Sequence, residues 1–169
     1  MRIKLFTAVF FPALLSTFIT LAQPVTNTIS VLNAVAEEAT ATLEAYKMKS
    51  LGDKLLSTSS GLQFVIHELG TGTKAKSGQY VLVDYYGMLT DGMRFDDSYK
   101  NGYSFGFPLG QNQVIAGFDE ALTLLPAGSR FTVFIPPNLA YGENGAPPVI
   151  PANAELVFHL NFIKIESQD

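Results

Sequence analysis

Between residues 61 and 165 a single stretch, VIAGFDEALTLL at 114–125, is strongly helical in pattern, repeating its apolar residues every three to four positions, while the apolar residues around it repeat every two. A period of two puts successive side chains on opposite faces of a strand; a period near 3.6 gathers them on one side of a helix. Leu62, Phe64 and Ile66 share one strand face, as do Val81, Val83 and Tyr85, and then Leu156, Phe158, Leu160 and Phe162. Val114, Ile115, Phe118, Ala121, Leu122 and Leu125 form the helical face, which Pro126 and Gly128 terminate. Thr90-Asp91-Gly92 predicts a tight turn between strands. SYKNGY at 98–103 interrupts the return strand, which SFGFPLG at 104–110 resumes; SRFTVFI at 129–135 is a further strand, closed by Pro136-Pro137. An antiparallel sheet with an apolar face needs a cover, and one amphipathic helix is available. The expected fold over residues 58–169 is therefore α+β: a twisted antiparallel sheet wrapped around one short helix.

The material suffices for such a core. Of 169 residues 47% are hydrophobic, with thirteen Phe and no Trp. The formal charge of −4 offers no basic stripe to neutralise phosphates, so nucleic acid is not expected as a partner. Cysteine is absent, which excludes disulfides, thiolate nucleophiles and thiolate metal ligands.

Residues 1–22 stand apart. Arg2 and Lys4 precede an uncharged run from Leu5 to Ala22 that ends in small residues. This is the pattern of a secretory signal peptide cleaved after Ala22, which places the mature chain in a periplasm or outside the cell. The alternative is an uncleaved anchor that tethers the protein to a membrane, facing outward. Residues 23–57 form an extension. QPVTNTISVL at 23–32 reads as linker, and a helix is expected over 33–51, with Val35, Ala39, Leu43 and Tyr46 on one side and Gly52 as its stop. It packs on the domain, makes a dimer or partner contact through 33–56, or serves as a spacer, the plainest of the three.

Several chemistries lack their residues. His67 and His159 lie in different strands without the carboxylate spacing of a metal site. His159 alternates away from the apolar set and is expected to face solvent. Asp119 and Glu120 are expected on the solvated side of the helix. GTGTKA at 70–75 imitates a dinucleotide loop but leads into a strand instead of a helix. No Ser sits in a nucleophile-elbow turn. An enzyme built on this chain works without nucleophile, metal or cofactor. AYGENGAPPVIPANAELVF at 140–158 is rich in proline yet carries Tyr141, Val149 and Ile150, more apolar bulk than a merely solvated loop requires.

VDYYGMLTDGMRFDDS (83–98), FGFPLGQNQVIAGFDEAL (105–122) and AYGENGAPPVIPANAELVFHLNFIKI (140–165), in that order, resemble the FKBP-type peptidyl-prolyl cis/trans isomerases. SGLQFVIHELGTG (60–72) is similar to the opening of exported bacterial members. The resemblance implies a sheet around a short helix, with a pocket between them. It assigns catalytic roles to Tyr141, Asp96, Tyr85 and Ile115, the last through its backbone N–H. It assigns substrate binding to Phe95, Phe105, Val114, Phe118, Ile150 and Phe158, with a peptide proline seated over Phe118. Proline-containing polypeptides are the implied substrates, and macrolide-type inhibitors the implied ligands. A non-catalytic holding chaperone using the same pocket is the other function this pattern admits. Two positions depart from the family: Phe118 stands where many members have Trp, and Ala146 followed by Pro147 stands where eukaryotic members have His. Taken without the resemblance, Phe105, Phe118 and Phe158 would read as plain core.

Overall fold

The computed structural model describes residues 28–166. The signal or anchor expected at 1–22 and the first part of the linker lie outside the described residues. From the N-terminus the chain forms a helix, α1 (Thr28–Lys47), and two strands, β1 (Leu56–Ser57) and β2 (Gln63–Glu68). A long strand β3 (Tyr80–Leu89) precedes two short ones, β4 (Arg94–Asp97) and β5 (Phe105–Pro108). The second helix is α2 (Ala116–Leu124), followed by β6 (Arg130–Ile135) and β7 (Leu156–Glu166). All pairings are antiparallel, and the order across the sheet is β1-β2-β6-β7-β3-β4, with β5 also on β3. Residues 86–88 of β3 pair with β4, and residues 80–83 pair with β5. The two short strands are thus one edge, broken by a 3-10 turn at Tyr99–Asn101 where SYKNGY predicts an interruption. Gly92, with φ +90°, turns the chain between β3 and β4 as Asp91-Gly92 predicts.

One face of the sheet carries Val81, Val83, Tyr85, Phe131, Val133, Leu156, Phe158, Leu160 and Phe162, and packs on Phe118, Ala121 and Leu122 of α2. Burying each such large side chain contributes about 1.5–3 kcal/mol. Helix and sheet come together at Gly117, where a Cβ would sit 2.3 Å from Cγ2 of Ile135. Leucine and phenylalanine on the helix can then reach between the strand side chains.

The opposite face is apolar too. Val65, Tyr86, Met88, Phe134 and Val157 are buried against Ala39 and Leu43 of α1. This corrects three expectations. Residues 28–32 are helical and not linker, because Leu32 belongs to the apolar side that α1 lays on the sheet. The helix stops at Lys47, ahead of the expected Leu51, and Lys49 turns the chain with φ +54°. And α1 is no mere spacer: of the readings open to it, packing on the domain is the one the fold shows, with Ala39 and Leu43 buried against the sheet. Among the described residues, no helix is long and apolar enough to cross a membrane.

His159 is the clearest departure, since it is only 1% exposed. It alternates away from the α2 face as expected, but that direction leads under α1. Thr132 Oγ1 lies 2.8 Å from His67 Nε2 and 3.0 Å from His159 Nδ1. A hydroxyl has one proton, so it donates to one imidazole and accepts from the other. The remaining ring nitrogens face Glu38 of α1, at 3.7 Å from His67 and 3.4 Å from His159. Arg130 closes the group by pairing with Glu38 and with Glu68, the latter at 3.5 Å. Burial lowers the pKa of His159 to about 4, aided by His67 and opposed by Glu38. Burial also lowers that of His67. For Glu38 burial pushes upward, but the Arg130 hydrogen bond and the imidazoles outweigh it and leave the carboxyl low.

These shifts all act in one direction. Below its ordinary pKa of 6.5 His159 takes up a proton in the unfolded chain but resists it when folded, so stability is full above that pH and falls toward pH 4. The expected loss is roughly 3 kcal/mol for this group alone. Thermal melts between pH 7 and 4 should show it, and His159→Asn, which keeps a polar contact for Thr132, should flatten the slope. An equal slope in the variant overturns the assignment.

Candidate functional site

Where β3, β4, β5 and β7 meet the first turn of α2, five aromatic rings come together. Phe118 meets Phe158 edge-on, with centroids 5.2 Å apart. Tyr85 meets Phe118 at 5.7 Å, Phe158 at 6.0 Å and Phe105 at 5.8 Å, each close to T-shaped. Phe95 meets Phe158 at 5.4 Å. Each edge-to-face pair adds about 0.5–1.5 kcal/mol beyond burial. Strand alternation turns Tyr85 and Phe158 to the same side, a register shift between Gly87 and Met88 leaves Phe95 unpaired between Arg94 and Asp96 so that its ring joins them, and Phe118 answers from the helix.

The remaining expected residues join this cluster. Val114, Ile115 and Tyr141 pack on it partly exposed, and Ile150 is buried in it. Val114 and Ile115 are the two residues before α2; Ile115 is extended, with φ −65° and ψ 149°. Tyr141 and Ile150 come from the loop between β6 and β7. That loop is closed by its own backbone: Ala146 N–H donates to the Ile150 carbonyl at 2.8 Å, Ile150 N–H donates back at 3.0 Å, and Asn153 N–H donates to the Gly142 carbonyl at 2.8 Å. Pro147, Pro148 and Val149 form its exposed tip.

The cluster divides by depth. Phe95, Asp96, Phe105, Val114, Ile115 and Tyr141 are part-exposed and make a rim. Tyr85, Phe118, Ile150 and Phe158 lie beneath, and Phe118 has no exposed surface at all. A ring that reaches Phe118 must therefore displace rim side chains.

The polar groups are of two kinds. Asp96 is fully engaged: its Oδ2 accepts from the Tyr85 hydroxyl at 2.7 Å, and its Oδ1 pairs with Lys100. Burial and this hydrogen bond hold the Tyr85 pKa far above the ordinary phenol value. By contrast, among the described residues the Tyr141 hydroxyl and the Ile115 backbone N–H make no hydrogen bond. Burial, and then the charge of Asp96, push the Tyr141 pKa up to about 12. The hydroxyl thus keeps its proton and remains a donor at neutral pH. Free donors on an apolar rim suit a ligand carbonyl. No group of three or more His, Asp or Glu side chains among the described residues has the arrangement of a metal site.

The polar residues expected on the outer side of α2 are not simply solvated. Asp119 accepts the Gly110 N–H at 2.8 Å, tying the β5–α2 connection to the first turn of the helix. Glu120 has both carboxylate oxygens 2.8 Å from Ser60 Oγ. Sequence reasoning also passed over Gly87. It occupies the cluster-facing side of β3, and a Cβ there would lie 2.8 Å from the Phe158 ring and 2.9 Å from the Phe95 ring. A glycine inside a strand signals such a close approach.

Residues 71–163 match the family model described as FKBP-type peptidyl-prolyl cis-trans isomerase. The FKBP-type peptidyl-prolyl cis-trans isomerase FkpA of Aeromonas hydrophila is 51% identical over 110 residues, which cover 65% of this chain and 40% of that protein. The outer membrane protein MIP of Legionella longbeachae is 38% identical, covering 73% of this chain and 56% of its own length. The chain thus spans about half the length of these relatives. Among solved structures, FkpA from Escherichia coli superposes with a TM-score of 0.65 at 33% identity, covering 81% of this chain and 63% of that one.

Gly87→Ala tests the packing of the cluster. The added methyl should cost about 1–3 kcal/mol in equilibrium unfolding, the range for overpacking a filled core. A neutral substitution would mean that the Phe95 and Phe158 rings are free to move aside.

Proposed function

The chain belongs to the FKBP-type peptidyl-prolyl cis-trans isomerase family, and on that premise we propose that it catalyses cis/trans isomerisation of the peptide bond before proline in exported polypeptides. The observation that carries the reading is the pair of unbonded donors, the Ile115 N–H and the Tyr141 hydroxyl, on the part-exposed rim of the aromatic cluster.

The chemistry needs little more. Amide resonance sets a rotation barrier of about 18–20 kcal/mol. Twisting the bond removes the resonance and reduces the dipole of the amide. An apolar, water-poor surface penalises the planar ground state more than the twisted one, so the site favours the transition state by differential binding. The prolyl ring lies among Phe95, Phe105 and Val114, and reaches Tyr85, Phe118, Ile150 and Phe158 as rim side chains give way. Ile115 N–H and the Tyr141 hydroxyl donate to substrate carbonyls and hold the twisted geometry. Asp96 orients Tyr85 and, with both oxygens occupied, transfers no proton. Every tenfold in rate requires about 1.4 kcal/mol, within reach of desolvation, shape and one or two hydrogen bonds. Macrolide-type ligands would compete for the same rim.

Export is part of the proposal. It rests on the basic start and uncharged run of residues 1–22, and agrees with the outer-membrane name of one relative. The first residue of the mature chain, read by mass spectrometry, separates cleavage near Ala22 from a retained membrane tether.

An isomerisation assay on a proline peptide tests the activity. Acceleration over buffer is expected. Tyr141→Phe keeps the ring and removes one donor, so kcat/KM should fall roughly two- to tenfold, the worth of one hydrogen bond. No acceleration by the wild-type chain overturns the enzymatic reading; peptide binding without acceleration would make it a holding module.

A further inference from the structure

We infer that Tyr46 of α1 is a positioning residue for the loop that carries Tyr141 and Ile150, acting through Glu155. The inference rests on the proposed isomerase reading of that site and goes beyond it, because α1 packs on the other face of the sheet from the rim residues.

The loop between β6 and β7 is bonded to itself. The Asn153–Gly142 hydrogen bond and the paired bonds of Ala146 with Ile150 tie residues 142–153 to one another. Such a unit is placed by its two attachments to the rest of the fold. At the near end these are Leu139, Ala140 and Tyr141, packed on the core. At the far end Ala154 packs likewise, and Glu155 follows immediately before β7.

Glu155 is half-buried, and the Tyr46 hydroxyl, at 3.1 Å, is its one hydrogen-bond partner among the described residues. Burial raises the Glu155 pKa, and the Tyr46 hydrogen bond opposes the rise. Tyr46 is itself held firmly. Its ring stacks on Phe134 of β6 with centroids 3.8 Å apart and planes 13° from parallel. Its oxygen also lies 2.9 Å from the Gln63 side-chain amide at the start of β2. The single phenol proton is shared between two acceptors, Gln63 Oε1 and Glu155 Oε1, and the carboxylate is the stronger of them. Three elements, α1, β2 and β6, thus fix one oxygen atom, and that atom fixes the outgoing end of the loop. Without it a half-buried carboxylate has no partner and turns toward water, taking the end of the loop with it.

The test is a double-substitution cycle in the full chain, with Tyr46→Phe, Glu155→Ala, the pair together, and Glu155→Gln. Phenylalanine keeps the stack on Phe134. Glutamine keeps an acceptor for the phenol. Two readouts are needed: isomerisation kinetics, and hydrogen exchange of the Ile150 and Asn153 amides. Tyr46→Phe and Glu155→Ala should each raise KM roughly three- to tenfold with kcat within about twofold of wild type. Each should speed exchange at those two amides and leave the midpoint of melting within about 4 °C. The double variant should be no worse than either single one, and Glu155→Gln should stay near wild type. Additive losses in the double variant, an unchanged KM with unchanged exchange, or a KM change explained by global unfolding overturns the inference. A wild-type chain without isomerase activity, in which both substitutions still speed exchange, would overturn the catalytic reading and leave the positioning role standing.

Discussion

The sheet of this protein has two apolar faces, and neither can be left to water. Strand β7 shows the constraint most plainly. Leu156, Phe158, Leu160 and Phe162 go to one side, and Val157 and His159 go to the other, all of them buried. A strand of that composition needs a helix on each flank. Helix α2 serves the first side and can do so at close range only because position 117 lacks a Cβ. Helix α1 serves the second. The rim lies on the first side, where α2 begins only at Ala116 and loop residues Val114, Ile115, Tyr141 and Ile150 pack beside the aromatic side chains of β3, β4, β5 and β7. A sheet longer than its cover is what makes a rim of part-exposed aromatic residues possible.

The α2 side was legible in the sequence because its period is clean. Alternation at 81–85 and 156–162, the helical stripe at 114–125 and the Asp91-Gly92 turn each identify their elements unaided, and the motif blocks assign the residues of the rim. The α1 side was not legible. Nothing local distinguishes a helix that packs from one that spaces, and an Ala-rich stripe of Val35, Ala39, Leu43 and Tyr46 is compatible with either. The error then propagated: with the spacer reading preferred over packing on the domain, His159 was assigned to solvent. The signal that could have corrected it lies in β2 and β7 themselves. Val65 and Val157 fall at the supposedly outward positions, where a half-solvated strand would carry polar residues. The sealing of Phe118 was equally unreadable, since depth beneath a rim depends on how loops close over a ring and not on the ring's place in the helix.

Polar groups at the site sort into those already satisfied and those held open, and the sorting limits the chemistry. Asp96 is the one carboxylate among the residues assigned to the site. In the fold it is bound at both oxygens, by a phenol and by an ammonium, and a carboxylate so committed serves to orient. Tyr141 sits near the same charge, and both burial and that charge oppose its ionisation. The result is a pair of donors with no hydrogen-bond partner among the described residues, on residues that pack against a surface of rings. Such a site has the means to hold a carbonyl and exclude water, and lacks the means to move a proton along a chain of groups.

The two sides of the sheet are not independent. Polar contacts fasten α1 at two points, Glu38 among His67, Arg130, Thr132 and His159, and Tyr46 between Gln63 and Glu155. The first point lies in the middle of the helix, against β6 and β7, whose other faces form the core beneath the rings. The second lies at its C-terminal end, against the residue that closes the β6–β7 loop. A helix fastened by apolar contacts alone could slide along the sheet by a turn at little cost, since Ala and Val stripes fit many registers. Two polar fastenings more than a helical turn apart allow only one register. The one that α1 adopts places a phenol oxygen within reach of Glu155, so the cover of the remote face also sets where the loop of the functional face ends.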